Sequence, residues 1–208
     1  SFGVISPKMI TDLSVAKVVT PELYDREGYP VDGGLMDIRL GVIDPGLRCK
    51  TDGGRLKESL GHFGHIELAR PVIHIKFAKH ILDLIRSTCH SCGRVLIPDE
   101  NIKKALKLLQ NVGEQEGSEA QRRTVRALIK KYKNKGKCPH CNAKQGTAKI
   151  DKPYTYYDDE KKLSPIEVRA RLEKISNDDL PLFGFNPKTV RPEWMILTVL
   201  SIPPVTLR

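Results

Sequence analysis

Apolar positions along this chain fall into short groups of differing period rather than one long repeat. In the first sixty residues, turn-formers at Ser6-Pro7, Thr20-Pro21, Gly28-Tyr29-Pro30, Asp32-Gly33-Gly34, Asp44-Pro45-Gly46 and Asp52-Gly53-Gly54 separate brief apolar pieces. No long helical period is visible there. Ile66-Glu67-Leu68 and Val72-Ile73-His74-Ile75 have the make-up of short strands. Phe77, Ile81, Leu84 and Ile85 then recur at helical spacing, which predicts a helix running into Cys89. Two amphipathic patterns follow, one carried by Ile102, Leu106 and Leu109, the other by Val125, Leu128, Ile129 and Tyr132. Gly113 to Gly117 break them apart, so a helical hairpin is expected.

Further on, Tyr154 to Tyr157 read as an extended segment. Ser164-Pro165-Ile166-Glu167 is a capping box with proline at the first helical position, and Val168 and Leu172 continue that helix. Met195 to Ile202 read as a buried strand ending at Pro203-Pro204. The last residues, Val205-Thr206-Leu207-Arg208, read as a chain continuing rather than ending. The expected class is α+β: an irregular core with short strands, interrupted by a helical hairpin. The expected layout is a first part over residues 1–88, the hairpin over 89–141 and a return to the core over 142–208, all within one 208-residue region.

Composition adds a partner to this picture. Apolar residues make up 39% and charged residues 29%, with a net charge of +10 and a pI near 9.4. Such an excess points to a polyanion, most simply nucleic acid, and says nothing of fold. The charge is concentrated: Ser118 to Lys137 hold eight cations against Glu119 alone, which is +7. Arg122, Arg126 and Lys130 recur every four residues, with Arg123 and Lys131 beside them, forming a stripe next to the apolar face. Such a stripe can neutralise phosphates, or it can be a solvated helix face. Tyr132 is the one aromatic in that stretch and no series of aromatics is interleaved for base stacking, so non-specific contact with duplex backbone is the nucleic-acid reading. The N-terminal residues lack the layout of a signal peptide, and the longest apolar stretch is far below the ~20 residues that span a bilayer. A soluble cytoplasmic protein is expected.

The cysteines bring in chemistry. Four of the five form two Cys-x-x-Cys pairs, Cys89/Cys92 and Cys138/Cys141, separated by 45 residues. Two intervening residues let one tight turn present both sulfurs to a metal at about 2.3 Å. Gly93 and Asn142, which tolerate positive φ, follow the pairs. The reading is a structural four-cysteine zinc site at the base of the hairpin, against two disulfides or free thiols. Four cysteine ligands leave no open position for catalysis. A second loop has Cys49, Asp52, Ser59 and His62 at spacing x2, x6, x2. Only Cys49 and His62 there are good zinc ligands; Asp52 could supply an oxygen and Ser59 is poor. Elsewhere neither a Gly-rich phosphate loop nor a nucleophile elbow is found, Asp158-Asp159-Glu160 reads as a solvated loop, and the remaining histidines read as packed or exposed.

Several segments carry a resemblance. Gly61-His62-Phe63-Gly64-His65-Ile66-Glu67-Leu68-Ala69-Arg70-Pro71 is similar to the GHFGHIEL segment of the largest subunit of multisubunit RNA polymerases. Arg191-Pro192-Glu193-Trp194-Met195-Ile196-Leu197-Thr198-Val199-Leu200, followed by Pro203-Pro204, resembles the RPEWMILTVLP-PP segment of the same subunit. Gly33-Gly34-Leu35-Met36-Asp37-Ile38-Arg39-Leu40-Gly41 and the two cysteine pairs fit in the same order. The likeness covers essentially the whole chain and is nearest the archaeal A-prime subunit.

The resemblance implies the N-terminal clamp region, a zinc-bearing jaw that closes over DNA and the RNA–DNA hybrid. Its implied partners are the second-largest subunit, the C-terminal part of the largest subunit, a NusG-type elongation factor and initiation factors. In the family the first zinc loop reads Cys-x2-Cys-x6-Cys-x2-His, and Asp52 and Ser59 stand here at its second and third cysteines. The family's magnesium-holding Asn-Ala-Asp-Phe-Asp-Gly-Asp motif is absent from these 208 residues, so magnesium belongs to the parent enzyme. This region would be part of a nucleotidyltransferase without being catalytic itself. The rival reading is a free-standing zinc-ribbon nucleic-acid-binding protein.

Overall fold

A computed structural model describes residues 4–151 and 154–208. The chain forms two compact units, one central in the sequence (Pro71–Ile196, with Val4) and one flanking it in the sequence (Ile5–Arg70 and Leu197–Arg208). Helix and sheet are mixed, as an α+β class requires. Among the described residues, no helix is long and apolar enough to cross a membrane.

The flanking unit opens with α1 (Pro7–Leu13), a short helix where the sequence suggests only a turn. Ser6 Oγ accepts the Met9 N–H at 3.0 Å and Pro7 occupies the first turn, the same start signal seen at Ser164-Pro165. Irregular chain follows, gathered on a small core of Ala16, Val18, Leu40 and Val205. Asp37, fully buried, accepts the Gly33 N–H at 2.7 Å and the Arg39 guanidinium at 2.6 Å, which closes the Gly33–Gly41 segment. Gly61 (φ 83°) lies against Pro204 and the Leu40 carbonyl, and Gly64 against Leu40; neither place has room for a Cβ.

Strand β1 (Gly64–Ile73) is one continuous ten-residue strand rather than the two short ones expected. It pairs with β5 (Ile196–Ile202) in a sheet of two strands, and a two-stranded sheet consists only of edges, where Pro71 is tolerated. The second expected strand also ends early. Residues Ile75–Phe77 form a 3-10 turn, and His74 Nδ1 accepts the Lys76 N–H. Strand β5 is less buried than its composition suggests: Ile196 is fully enclosed, the rest half-covered or exposed, and Met195 belongs to a preceding 3-10 turn.

In the central unit, α2 (Ala78–Ser87) buries Ile81, Leu82, Leu84 and Ile85, as its helical spacing predicts. Helix α3 (Asp99–Glu116) buries Ile102, Ala105 and Leu109, and Asp99 and Glu100 favour its positive N-terminus. Helix α4 (Ser118–Tyr132) packs back on α3. The break between them is narrower than expected. α3 runs through Gly113, which faces Gln121, and only Gly117 (φ 89°) is left outside. Gln121 Nε2 donates to the Leu109 carbonyl at 3.0 Å and ties the two helices.

Three antiparallel strands follow: β2 (Ala148–Asp151), β3 (Thr155–Asp158) and β4 (Lys161–Leu163). Only the middle one is legible in the sequence, as the Tyr154–Tyr157 segment. Tyr156 is its anchor, buried and donating to the Ala78 carbonyl at 2.6 Å. Helix α5 (Pro165–Glu173) starts with the expected capping box: Ser164 Oγ accepts the Glu167 N–H at 3.2 Å and Glu167 accepts the Ser164 N–H at 2.7 Å.

Candidate metal centre

The four cysteines of the two pairs meet in the central unit, with every sulfur within 4.8 Å of the others. Cys89 and Cys141 Sγ are 3.6 Å apart, and Cys92 and Cys138 Sγ 3.7 Å. A disulfide needs about 2.05 Å, so these contacts are not disulfides. Four sulfurs at ~2.3 Å from a common centre in a tetrahedron would stand roughly 3.8 Å apart, which these distances match. The donor set therefore fits a closed structural zinc site.

Each pair rests on the same backbone turn. Cys89 N–H donates to the Arg94 carbonyl at 2.8 Å and Gly93 N–H to the Cys89 carbonyl at 3.0 Å. The matching bonds at the second pair are Cys138 to Ala143 at 3.0 Å and Asn142 to Cys138 at 3.1 Å. Gly93 (φ 74°) and Asn142 (φ 64°) supply the left-handed residue that lets each turn close. The turn aims N–H groups at sulfur: Ser91 and Cys92 donate to Cys89 Sγ at 3.3 and 3.4 Å, and His140 to Cys138 Sγ at 3.4 Å. Burial opposes ionisation of Cys89, but these N–H donors and its neighbours outweigh it and hold the thiol at about 6. Burial pushes Cys92 up to about 12, and it raises Cys138 as well. A divalent cation at the centre would favour the thiolate at all four.

Residues far along the chain support the centre, and pair spacing gives no hint of them. Gln145 Nε2 donates to Cys89 Sγ at 3.2 Å while its Oε1 accepts the His90 N–H. Buried Asp179 accepts the Val95 N–H at 3.1 Å and Arg94 Nε at 2.9 Å, anchoring the first turn from 85 residues downstream. His140, Nε2 to the Val95 carbonyl at 3.0 Å, is a packed residue of the second turn.

In the flanking unit, ligand atoms of Cys49, Asp52 and His62 also lie within 4.8 Å of one another. Asp52 Oδ2 accepts Ser59 Oγ at 2.6 Å and stands 3.0 Å from His62 Nε2, and Oδ1 accepts the Gly54 N–H at 2.8 Å. The Ser59 hydroxyl, these N–H donors and a minor contribution from Cys49 hold the Asp52 carboxyl far below the usual carboxylate range.

The basic stripe sits on α4. Arg122, Arg123, Arg126, Lys130 and Lys131 are all exposed, while Ala120 and Val125 of the same helix are buried. Among the described residues none of the five is held by a carboxylate. Lys131 lies over the Tyr132 ring at 5.3 Å and Lys135 at 5.9 Å.

Comparison with known proteins adds the family. The family described as RNA polymerase Rpb1, domain 1 matches residues 1–208. DNA-directed RNA polymerase subunit Rpo1N of Methanocaldococcus jannaschii is 50% identical over 211 residues, covering 100% of this chain and 16% of that protein. The subunits of the same name from Thermococcus celer and Sulfolobus acidocaldarius are each 48% identical, covering 100% of this chain and 24% of theirs. The chain thus spans a quarter or less of the length of these curated relatives. With a whole-length match and such identity, this chain belongs to the RNA polymerase Rpb1 domain 1 family.

Proposed function

We propose that this chain is the clamp portion of an archaeal-type DNA-directed RNA polymerase, closing over DNA and the RNA–DNA hybrid and docking transcription factors. The observation that carries the reading is the match to the Rpb1 domain 1 family across every residue. The four-sulfur cluster and the cations of α4 support it, because a clamp needs a rigid base and a face tolerant of phosphate. Zinc at Cys89, Cys92, Cys138 and Cys141 would be structural. Nucleotide addition, with its magnesium, would belong to other parts of the parent enzyme, which acts in the cytoplasm.

The test is co-assembly. The full-length subunit carrying this chain should bind the second-largest subunit and a NusG-type elongation factor. Failure to bind either would sink the clamp reading. The +7 segment favours one second reading, a free-standing zinc-ribbon nucleic-acid-binding protein. It predicts tight, salt-sensitive duplex binding with no polymerase partner, so the same experiment separates the two.

A further inference from the structure

The chain contains a third turn of the metal-binding kind, and its chemistry is inverted. Cys49 N–H donates to the Gly54 carbonyl at 2.8 Å and Gly53 N–H to the Cys49 carbonyl at 2.7 Å, with Gly53 at φ 73°. These are the two bonds and the left-handed residue found at Cys89 and at Cys138, position for position. Where those turns carry a second cysteine, this one carries Asp52.

A zinc site is a cation surrounded by electron-pair donors. Here the central group is an anion surrounded by hydrogen-bond donors. Asp52 Oδ2 takes the Ser59 hydroxyl, Oδ1 takes the Gly54 N–H, and Ser59 Oγ in turn accepts the Gly61 N–H at 3.1 Å. His62 Nε2 stands 3.0 Å from a carboxylate oxygen, so this ring nitrogen is taken up by Asp52 rather than turned to a metal. Cys49 Sγ lies 3.9 Å from the Arg39 carbonyl, a backbone oxygen that an S–H can reach. The hydroxyl of Ser59 is a poor zinc ligand in any case. The donor set therefore does not fit the metal that the family's first loop implies.

We propose that this first loop is a metal-free knuckle, in which the Asp52 carboxylate takes the place of zinc and ties the 49–54 turn to the 59–62 segment. The backbone that suits a cation is kept; the cation's cross-linking role passes to one anion and its donors. The inference rests on these side chains alone and stands or falls apart from the clamp reading.

Zinc content decides it, measured by elemental mass spectrometry on the purified full-length subunit carrying this chain. Cys49→Ala and His62→Gln should each keep the wild-type zinc content. Asp52→Cys combined with Ser59→Cys should gain one zinc per chain, because the turn already has the geometry of its two relatives. Loss of one zinc equivalent from either single variant overturns the proposal, and so does the absence of a gain in the double variant. Cys49 is buried and its variant could fail to fold, whereas the His62 side chain is 29% exposed, so His62→Gln keeps the test decisive.

Discussion

Gly93 and Asn142 occupy equivalent positions in the two zinc-fitting turns, yet only one of them leaves room for a side chain. A Cβ at Gly93 would run into the Lys174 carbonyl, while Asn142 is exposed at φ 64°. Gly93→Ala should therefore cost more than the roughly 1–2 kcal/mol of a left-handed L-residue, because Lys174 must also move. Asn142→Gly should change stability by less than about 1 kcal/mol. Chemical denaturation of both variants checks this, and equal losses would show that the Lys174 contact does not matter. Asp37 makes a pH prediction. Burial alone would raise its carboxyl, but the Arg39 side chain and the Gly33 and Arg39 N–H groups outweigh that and hold it below its ordinary 3.8. A folded value below the unfolded one gives stability that is present above about pH 4 and lost as pH falls through the folded value. Asp37→Asn should flatten that acid limb in a stability-against-pH profile; an unchanged limb would assign it to other carboxylates. At this scale the cluster of Cys89, Cys92, Cys138 and Cys141 is legible in the sequence, because pair spacing is a local property. Gln145 and Asp179 are not, since each meets its partner across 56 and 85 residues of chain.

The elements divide in the same way. The α2, α3 and α4 helices and the capping box of α5 follow from periodicity and cap chemistry, both local. α1 carries the same Ser-Pro start as α5 but spans only seven residues, too short to show a period. Gly113 reads as part of a break because glycine costs a helix about 1 kcal/mol, and packing on Gln121 outweighs that cost. Strands β2 and β4 have 4 and 3 residues and exist only as partners of β3. The hairpin of α3 and α4 has the four-cysteine cluster at its base, and zinc held there would tie its ends. Cys138→Ser should remove one zinc and speed amide exchange across both helices, since structural zinc couples binding to folding by roughly 10–16 kcal/mol in small peptides. Unchanged exchange would mean that the Ile102, Leu109 and Val125 contacts hold the hairpin unaided.

Over the whole molecule the net charge of +10 is dominated by a single stretch ending just before Cys138. If α4 lies on duplex backbone, reversing Arg122, Arg126 and Lys130 to Glu should lower the slope of log affinity against log salt by roughly 3, about 0.9 for each phosphate no longer neutralised. An unchanged slope would leave the stripe as a solvated or protein-facing surface. By itself the sequence determined the α+β class, the helical hairpin, the four-cysteine centre, the basic stretch and the family resemblance, because spacing, capping and charge are written in neighbouring residues. Only the tertiary structure decided that β1 is continuous, that Gln145 and Asp179 brace the first cysteine turn, and that Cys49 begins a third turn of the same kind. It alone set Ser59 and His62 around Asp52. Which groups donate and which accept depends on distances closed by folding, and no spacing along the chain records them.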